Sequence, residues 1–212
     1  MVKLTIKVVE SLPELRRAAA RAIAQHMTEA IYKAAPLIES GLRAVIKEAI
    51  MGAPEYQSLI SGKLKPEFGI PDAASKLTTI LKVWTQSIVA TPTPMKVRGN
   101  TLRGGLTIQA IKGDWQDVIS LPEARQMTKK GQALPWLEWL LIKGDQVIIK
   151  DYVLSFGPGR AGSQIMKVKR SGRWRVPPEF SGTINDNFVT RAIDGLDVQF
   201  GKIIEEEIGR KI

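Results

Sequence analysis

Apolar side chains recur at helical spacing from Ala18 through Ala22, Ile23, Met27, Ala30, Ile31 and Ala34, and the same period continues through Leu37, Ile38, Leu42, Val45, Ile46, Ala49 and Ile50. The pattern predicts a long amphipathic helix. Ser11 and Glu14 form an S-x-x-E capping box at its start, with Pro13 in the first turn where a missing N–H costs nothing. Pro36 removes a backbone donor mid-run and predicts a break or kink, followed by a second limb that Gly52 ends. Ahead of the helix, Leu4, Ile6 and Val8 alternate with Lys3, Thr5 and Lys7, so residues 1–10 read as an edge strand or a terminal arm.

Beyond residue 52 the period shortens and the breakers multiply. A short helix is expected from Pro54 to near Gly62, then a loop anchored by Leu59, Leu64, Phe68 and Ile70. Residues 76–90, with Leu77, Ile80, Val83, Trp84, Ile88 and Val89, read as a bulged strand that the Thr-Pro-Thr-Pro run at 91–94 interrupts. A turn at 97–101 leads into a strand at 105–111, and Trp115, Val118, Ile119 and Leu121 add a short apolar piece. Residues 123–133 are polar and predict a helical turn with an exposed loop. The stretch 134–193 then reads as β-ribbon, loop, β-ribbon. An apolar run at 134–142 turns at Lys143 and Gly144 into a β-branched strand at 147–156, and breakers follow at 157–159. A further strand occupies 164–169, Ser171 and Gly172 turn the chain, and Pro177 and Pro178 stop the piece at 173–176. Thr183 and Asp186 signal an N-cap for a C-terminal amphipathic helix carrying Phe188, Ala192, Ile193, Leu196, Phe200, Ile203, Ile204 and Ile208. The order of elements predicts an α+β fold, an antiparallel sheet backed by long N-terminal and C-terminal helices, in a single domain over 1–212 with exposed loops or arms.

Composition narrows the chemistry. Hydrophobic residues at 44% and charged residues at 25% are ordinary for a globular chain of 212 residues, which is long enough to bury a core. There is no cysteine and one histidine, His26, set among alanines in the first helix. That removes disulfides, thiolate chemistry and most Ser–His and zinc schemes. No apolar run approaches the roughly 18 residues of a membrane span, and the first residues alternate too regularly for a signal peptide, so a soluble protein made in the cytoplasm is expected. The net charge of +10 is unevenly placed, with balances of +2 over 1–60, +11 over 61–178 and −3 over 179–212. A basic centre of this kind faces either nucleic acid or an acidic neighbour across a protein interface.

Catalytic signatures are sparse. The glycine-rich loop at 157–163 lacks the Lys-Ser/Thr pair that a phosphate-binding loop places after its last glycine, so a flexible or interface loop is the better reading. Asp114 with Asp117, and Asp145 with Asp151, sit beside turns where aspartate serves local hydrogen bonding, and Glu205, Glu206 and Glu207 form a solvated face. No catalytic residue, metal ligand or cofactor is assigned. Lys167, Lys169, Arg170, Arg173 and Arg175 instead cluster around Trp174, with Arg160 near in sequence. These groups suit phosphate contact and base stacking; but if Arg173 and Arg175 alternate on a strand, Trp174 faces the other way, into a core or a subunit interface. Trp136 and Trp139, three apart, share a helical face as core aromatics or as an interface pair.

Five segments carry a resemblance: PEYQSLISGKL at 54–64, FGIPD at 68–72, LPWLEWLLIKGD at 134–145, RWRVPPEFSGT at 173–183 and NDNFVTR at 185–191. Together they resemble structural proteins of tailed bacteriophages, closest to the neck and tail-completion (tail terminator-like) proteins that join the DNA-filled head to the tail. The resemblance spans roughly residues 50–195. It implies a non-enzymatic virion protein assembled in the host cytoplasm. It also implies a homo-oligomeric ring, of six copies by expectation, that contacts neighbouring neck and tail proteins and leaves an axial channel for DNA. Arg160, Arg173, Trp174, Arg175, Trp136 and Trp139 are then the expected interface residues. A DNA channel is not usually lined with cations that would hold the duplex, so the basic surplus departs from this pattern unless it faces acidic protein. A basic nucleic-acid-binding protein is the alternative, and a metal-dependent hydrolase would require the Asp and Glu pairs to converge.

Overall fold

The computed structural model describes residues 12–99, 101–109, 113, 115–127, 131, 133–144, 146–158 and 164–212. The expected N-terminal arm, Ser11 of the capping box, Arg160 and most of the 157–163 loop lie outside them. The chain begins with one 41-residue helix, α1 (Leu12–Gly52), which runs through Pro36 without the expected break. Packing explains this. Pro36 itself is exposed, while Ile31, Ala34, Ile38, Leu42, Ile46 and Ile50 form a continuous buried stripe on either side of it, enough to hold the helix against one lost hydrogen bond. The two halves of α1 differ. From Ala34 onward it lies in the core, whereas residues 13–23 are exposed apart from a half-buried Ala20.

Three short helices pack on the core end: α2 (Pro54–Ile60), α3 (Leu64–Phe68) and α4 (Ala73–Gln86). The strand expected at 76–90 is therefore mostly helix. Its buried residues Ala73, Leu77, Ile80, Leu81 and Trp84 fall at i, i+4, i+7, i+8 and i+11, a helical stripe that the β-branched content of the segment disguised. The hydroxyls of Thr78 and Thr85 donate back to Ala74 O and Leu81 O, one turn earlier. Next comes a ribbon, β1 (Val89–Arg98) paired antiparallel with β2 (Thr101–Gln109). The Thr-Pro-Thr-Pro run lies inside β1 rather than interrupting it. A two-stranded ribbon leaves a free edge where proline breaks no ladder, and the register shifts between Thr93 and Lys96. Gly104 is required opposite that shift, because a Cβ there would sit 2.4 Å from Pro94 O. The ribbon lies along α1. Glu39 accepts from Ala90 N at 3.1 Å and pairs with Arg43, Arg43 Nη2 donates to Ile88 O at 3.0 Å, and Thr28 Oγ1 accepts from Met95 N at 2.9 Å.

Past a short helix α5 (Gln116–Ile119) and a 3-10 turn, the expected loop region holds a small pairing of β3 (Gln126–Met127) with β4 (Ala133–Leu134). The apolar run at 134–142 is not ribbon but α6 (Trp136–Leu141), with Trp136, Leu137, Leu140 and Leu141 buried. A second long ribbon follows, β5 (Ile149–Phe156) with β6 (Gln164–Trp174). Ser171 and Gly172 do not turn the chain; they form a bulge within β6, opposite a register shift between Lys150 and Tyr152. Asp151 (φ 60°) and Ser171 (φ 66°) adopt left-handed conformations there, and Ser171 N donates to Asp151 Oδ1 at 3.1 Å. The C-terminal helix is two helices, α7 (Phe188–Ile193) and α8 (Asp197–Gly209), separated at Gly195, whose φ of 83° ends the first one. The α+β fold with its long N-terminal helix and C-terminal helices is as expected, and among the described residues the strands form three separate two-stranded ribbons instead of one sheet.

Candidate interface surface

All five tryptophans lie in two aromatic clusters. Phe68 is the hub of the first, edge-on to Trp174 at 5.6 Å between centroids, stacked with Trp139 at 6.4 Å and tilted on Trp136 at 6.4 Å. Trp139 also meets Trp174 at 5.9 Å. Trp84 is the hub of the second, edge-on to Trp115 at 6.2 Å and to Phe188 at 6.0 Å. Trp174 is only 6% exposed and Trp136 1%, while Trp139 is half-buried. Trp174 is thus a core residue, as are Trp136 and, in part, Trp139. Their apolar bulk is consumed inside the chain.

The segments around these clusters are clamped by polar contacts. Arg191 reaches Glu55 at 2.6 Å and Asp186 at 2.8 Å, and Lys63 reaches Glu179 at 2.6 Å. Burial pulls the Arg191 guanidinium down, but the hydrogen bonds it donates to Glu55 and Asp186 outweigh this and the net shift is upward. Burial raises the Glu67 carboxyl above its ordinary range, Lys63 and the Trp174 indole N–H oppose this, and that indole completes no hydrogen bond of ordinary geometry with it. Asn187 is fully buried and uses its amide completely. Its Nδ2 donates to Thr183 O at 3.0 Å and to Leu141 O at 3.4 Å, and its Oδ1 accepts from Val189 N and Thr190 N. It is the N-cap of α7, closed as a capping box by Thr190, where Thr183 and Asp186 were expected. The Asn-x-x-Thr spacing signals this cap in the sequence.

Charge is what the surface has to offer. On the β5–β6 ribbon, Lys150 stands directly opposite Arg173, and both are exposed along with Lys167, Lys169, Arg170 and Arg175; Asp151 is the sole carboxylate over the described residues 147–176. Like charges facing each other across a ladder repel. Arg173 and Arg175 do share the outer side while Trp174 turns inward, as the alternation predicts. A second basic surface lies at the free end of α1 and the tip of the β1–β2 ribbon. There Arg16 and Arg17 line a groove of about 390 Å³ with Ala20, Val97 and Leu102. A concavity of about 560 Å³ has the opposite sign: Asp186, Asp194 and Asp197 line it beside Trp115 and Arg191, between α7 and the start of α8.

No three His, Asp or Glu side chains among the described residues converge as metal ligands, and no helix there is long and apolar enough to cross a membrane. No protein-family model, curated protein or solved structure matches the chain.

Proposed function

We propose that this chain is a non-enzymatic structural subunit of a tailed-phage virion, forming a ring at the head–tail connection as a neck or tail-terminator protein. One observation carries the reading. The five segments that resemble neck and tail-completion proteins, scattered over residues 54–191, meet in one packed unit. Phe68 of the second segment touches Trp136 and Trp139 of the third and Trp174 of the fourth, Glu55 of the first binds Arg191 of the fifth, and Gly144 N donates to Gly182 O at 3.1 Å. The resemblance therefore rests on residues that determine the fold. Outside that unit the chain projects a helix and a ribbon, the kind of extension through which ring subunits hold their neighbours. The activity is geometric: copies bury edges and extensions against one another and leave an axial passage.

Interrupting the reading frame in a phage that encodes this chain is expected to leave filled heads and finished tails unjoined by electron microscopy. Joined, infectious particles would contradict the proposal.

A second reading, nucleic-acid binding, is favoured by the Lys150–Arg173 pair and the other exposed cations of the β5–β6 ribbon. It requires duplex-DNA affinity to fall with salt at a slope of about −0.9 per phosphate contacted.

A further inference from the structure

The N-terminal half of α1, with the tip of the β1–β2 ribbon beside it, presents an exposed face of distinct character among the described residues. Residues 12–25 and 94–104 together carry Arg16, Arg17, Arg21, Lys96, Arg98 and Arg103 against one carboxylate, Glu14, which cannot balance six cations. Lys96 and Arg103 stand directly opposite each other in the ribbon. Ile23, 54% exposed, with Leu15 and Leu102, adds apolar surface among these charges. Contacts to Thr28 and Glu39 tie the ribbon to the helix, so the two form one extension.

At the other end, the groove between α7 and α8 pairs carboxylates with exposed apolar side chains. Asp186, Asp194 and Asp197 line it, Ile184 is 45% exposed beside it, and Val198 is 69% exposed on the first turn of α8. Among the described residues Arg191 is the one cation lining it, and it is already engaged by Glu55 and Asp186. The Arg191–Glu55 contact places this groove near the C-terminal end of α1. Thirty-five residues of helix separate Arg17 from Gly52, about 50 Å along the helix path at 1.5 Å per residue. The extension therefore cannot reach the groove of its own chain.

Building on the ring reading, we infer that neighbouring copies join head to tail, the basic extension of one copy seated in the acidic groove of the next. The two surfaces complement each other in charge, both carry apolar side chains, and each copy has one of each. Such a contact is heterologous. It closes into a ring where the rotation per copy permits.

The test uses two exposed charge reversals in the full chain, Arg16→Glu with Arg17→Glu on the extension, and Asp194→Lys with Asp197→Lys at the groove. Each variant alone is expected to lose self-association at least about tenfold in sedimentation, with its thermal melting retained. Mixed in equal amounts they are expected to assemble again, since the reversed extension of one now matches the reversed groove of the other. Two assembling variants would overturn the inference and leave the ring reading intact. A wild-type chain that stays single at low salt would overturn both. Loss of binding to a duplex DNA fragment by the extension variant, with assembly unchanged, would overturn the inference and make the extension a nucleic-acid contact.

Discussion

Single residues at the heart of this fold are committed to holding segments together. Asn187 caps α7 and ties it to Leu141 and Thr183, so Asn187→Ala removes a cap and orphans buried backbone groups. A loss of about 2 kcal/mol is expected in urea unfolding; a change below a few tenths would show the amide to be replaceable. Trp174→Ala opens a cavity beside Phe68 and Trp139, and about 3–5 kcal/mol of folding stability should go with it, whatever happens to assembly. Assembly failing in a Trp174→Ala protein of unchanged stability would return Trp174 to the interface role its sequence position suggested. Glu67 gives a pH signature. Its folded-state carboxyl titrates above the unfolded one, chiefly through burial, so between those two values the folded chain binds more protons than the unfolded chain. Stability contributed by this group is thus present below the window and falls as pH rises through it. Glu67→Gln should flatten the slope and gain on the wild type above the window, measured as urea midpoints from acid to neutral pH. An unchanged slope would assign the pH dependence to other groups.

At the scale of elements, packing decided where local signals misled. Pro36 is a helix breaker by its chemistry, yet α1 passes through it because the buried stripe is continuous on both sides. Pro36→Ala is then expected to stabilise by roughly 1–3 kcal/mol, read as a higher melting temperature, since the residue is exposed and the change restores a donor. Destabilisation would mean that the proline shapes the helix for its neighbours. The buried stripe of α1 and the helical period of the C-terminal stretch were legible, because apolar spacing speaks locally. Less legible was the stretch 76–86, where β-branched residues mask a helical stripe, and the 134–142 run, too short for period to separate strand from helix. Gly172 lay further out of reach. Its bulge is set by long-range pairing, in which a Cβ would meet Tyr152 O at 2.6 Å, so the turn read from Ser171 and Gly172 had no local contradiction. For the interface, the cations could be picked out by residue type. The inward face of Trp174 depended on strand register, and the acidic groove is assembled from residues 113–197.

Across the whole molecule, charge and shape are divided between two ends. The chain is basic overall, but its cations gather on the free end of α1 with the β1–β2 ribbon and on the β5–β6 ribbon, while carboxylates line the groove beside α7. An extension at one end and a groove of opposite charge at the other suit repetition of the chain. The central claim is that copies of this chain build a closed assembly, and light scattering on the purified protein at low ionic strength tests it most directly. A closed assembly gives one discrete mass, a whole-number multiple of 23.4 kDa, that stops growing as concentration rises. A mass of 23.4 kDa at every concentration would contradict it.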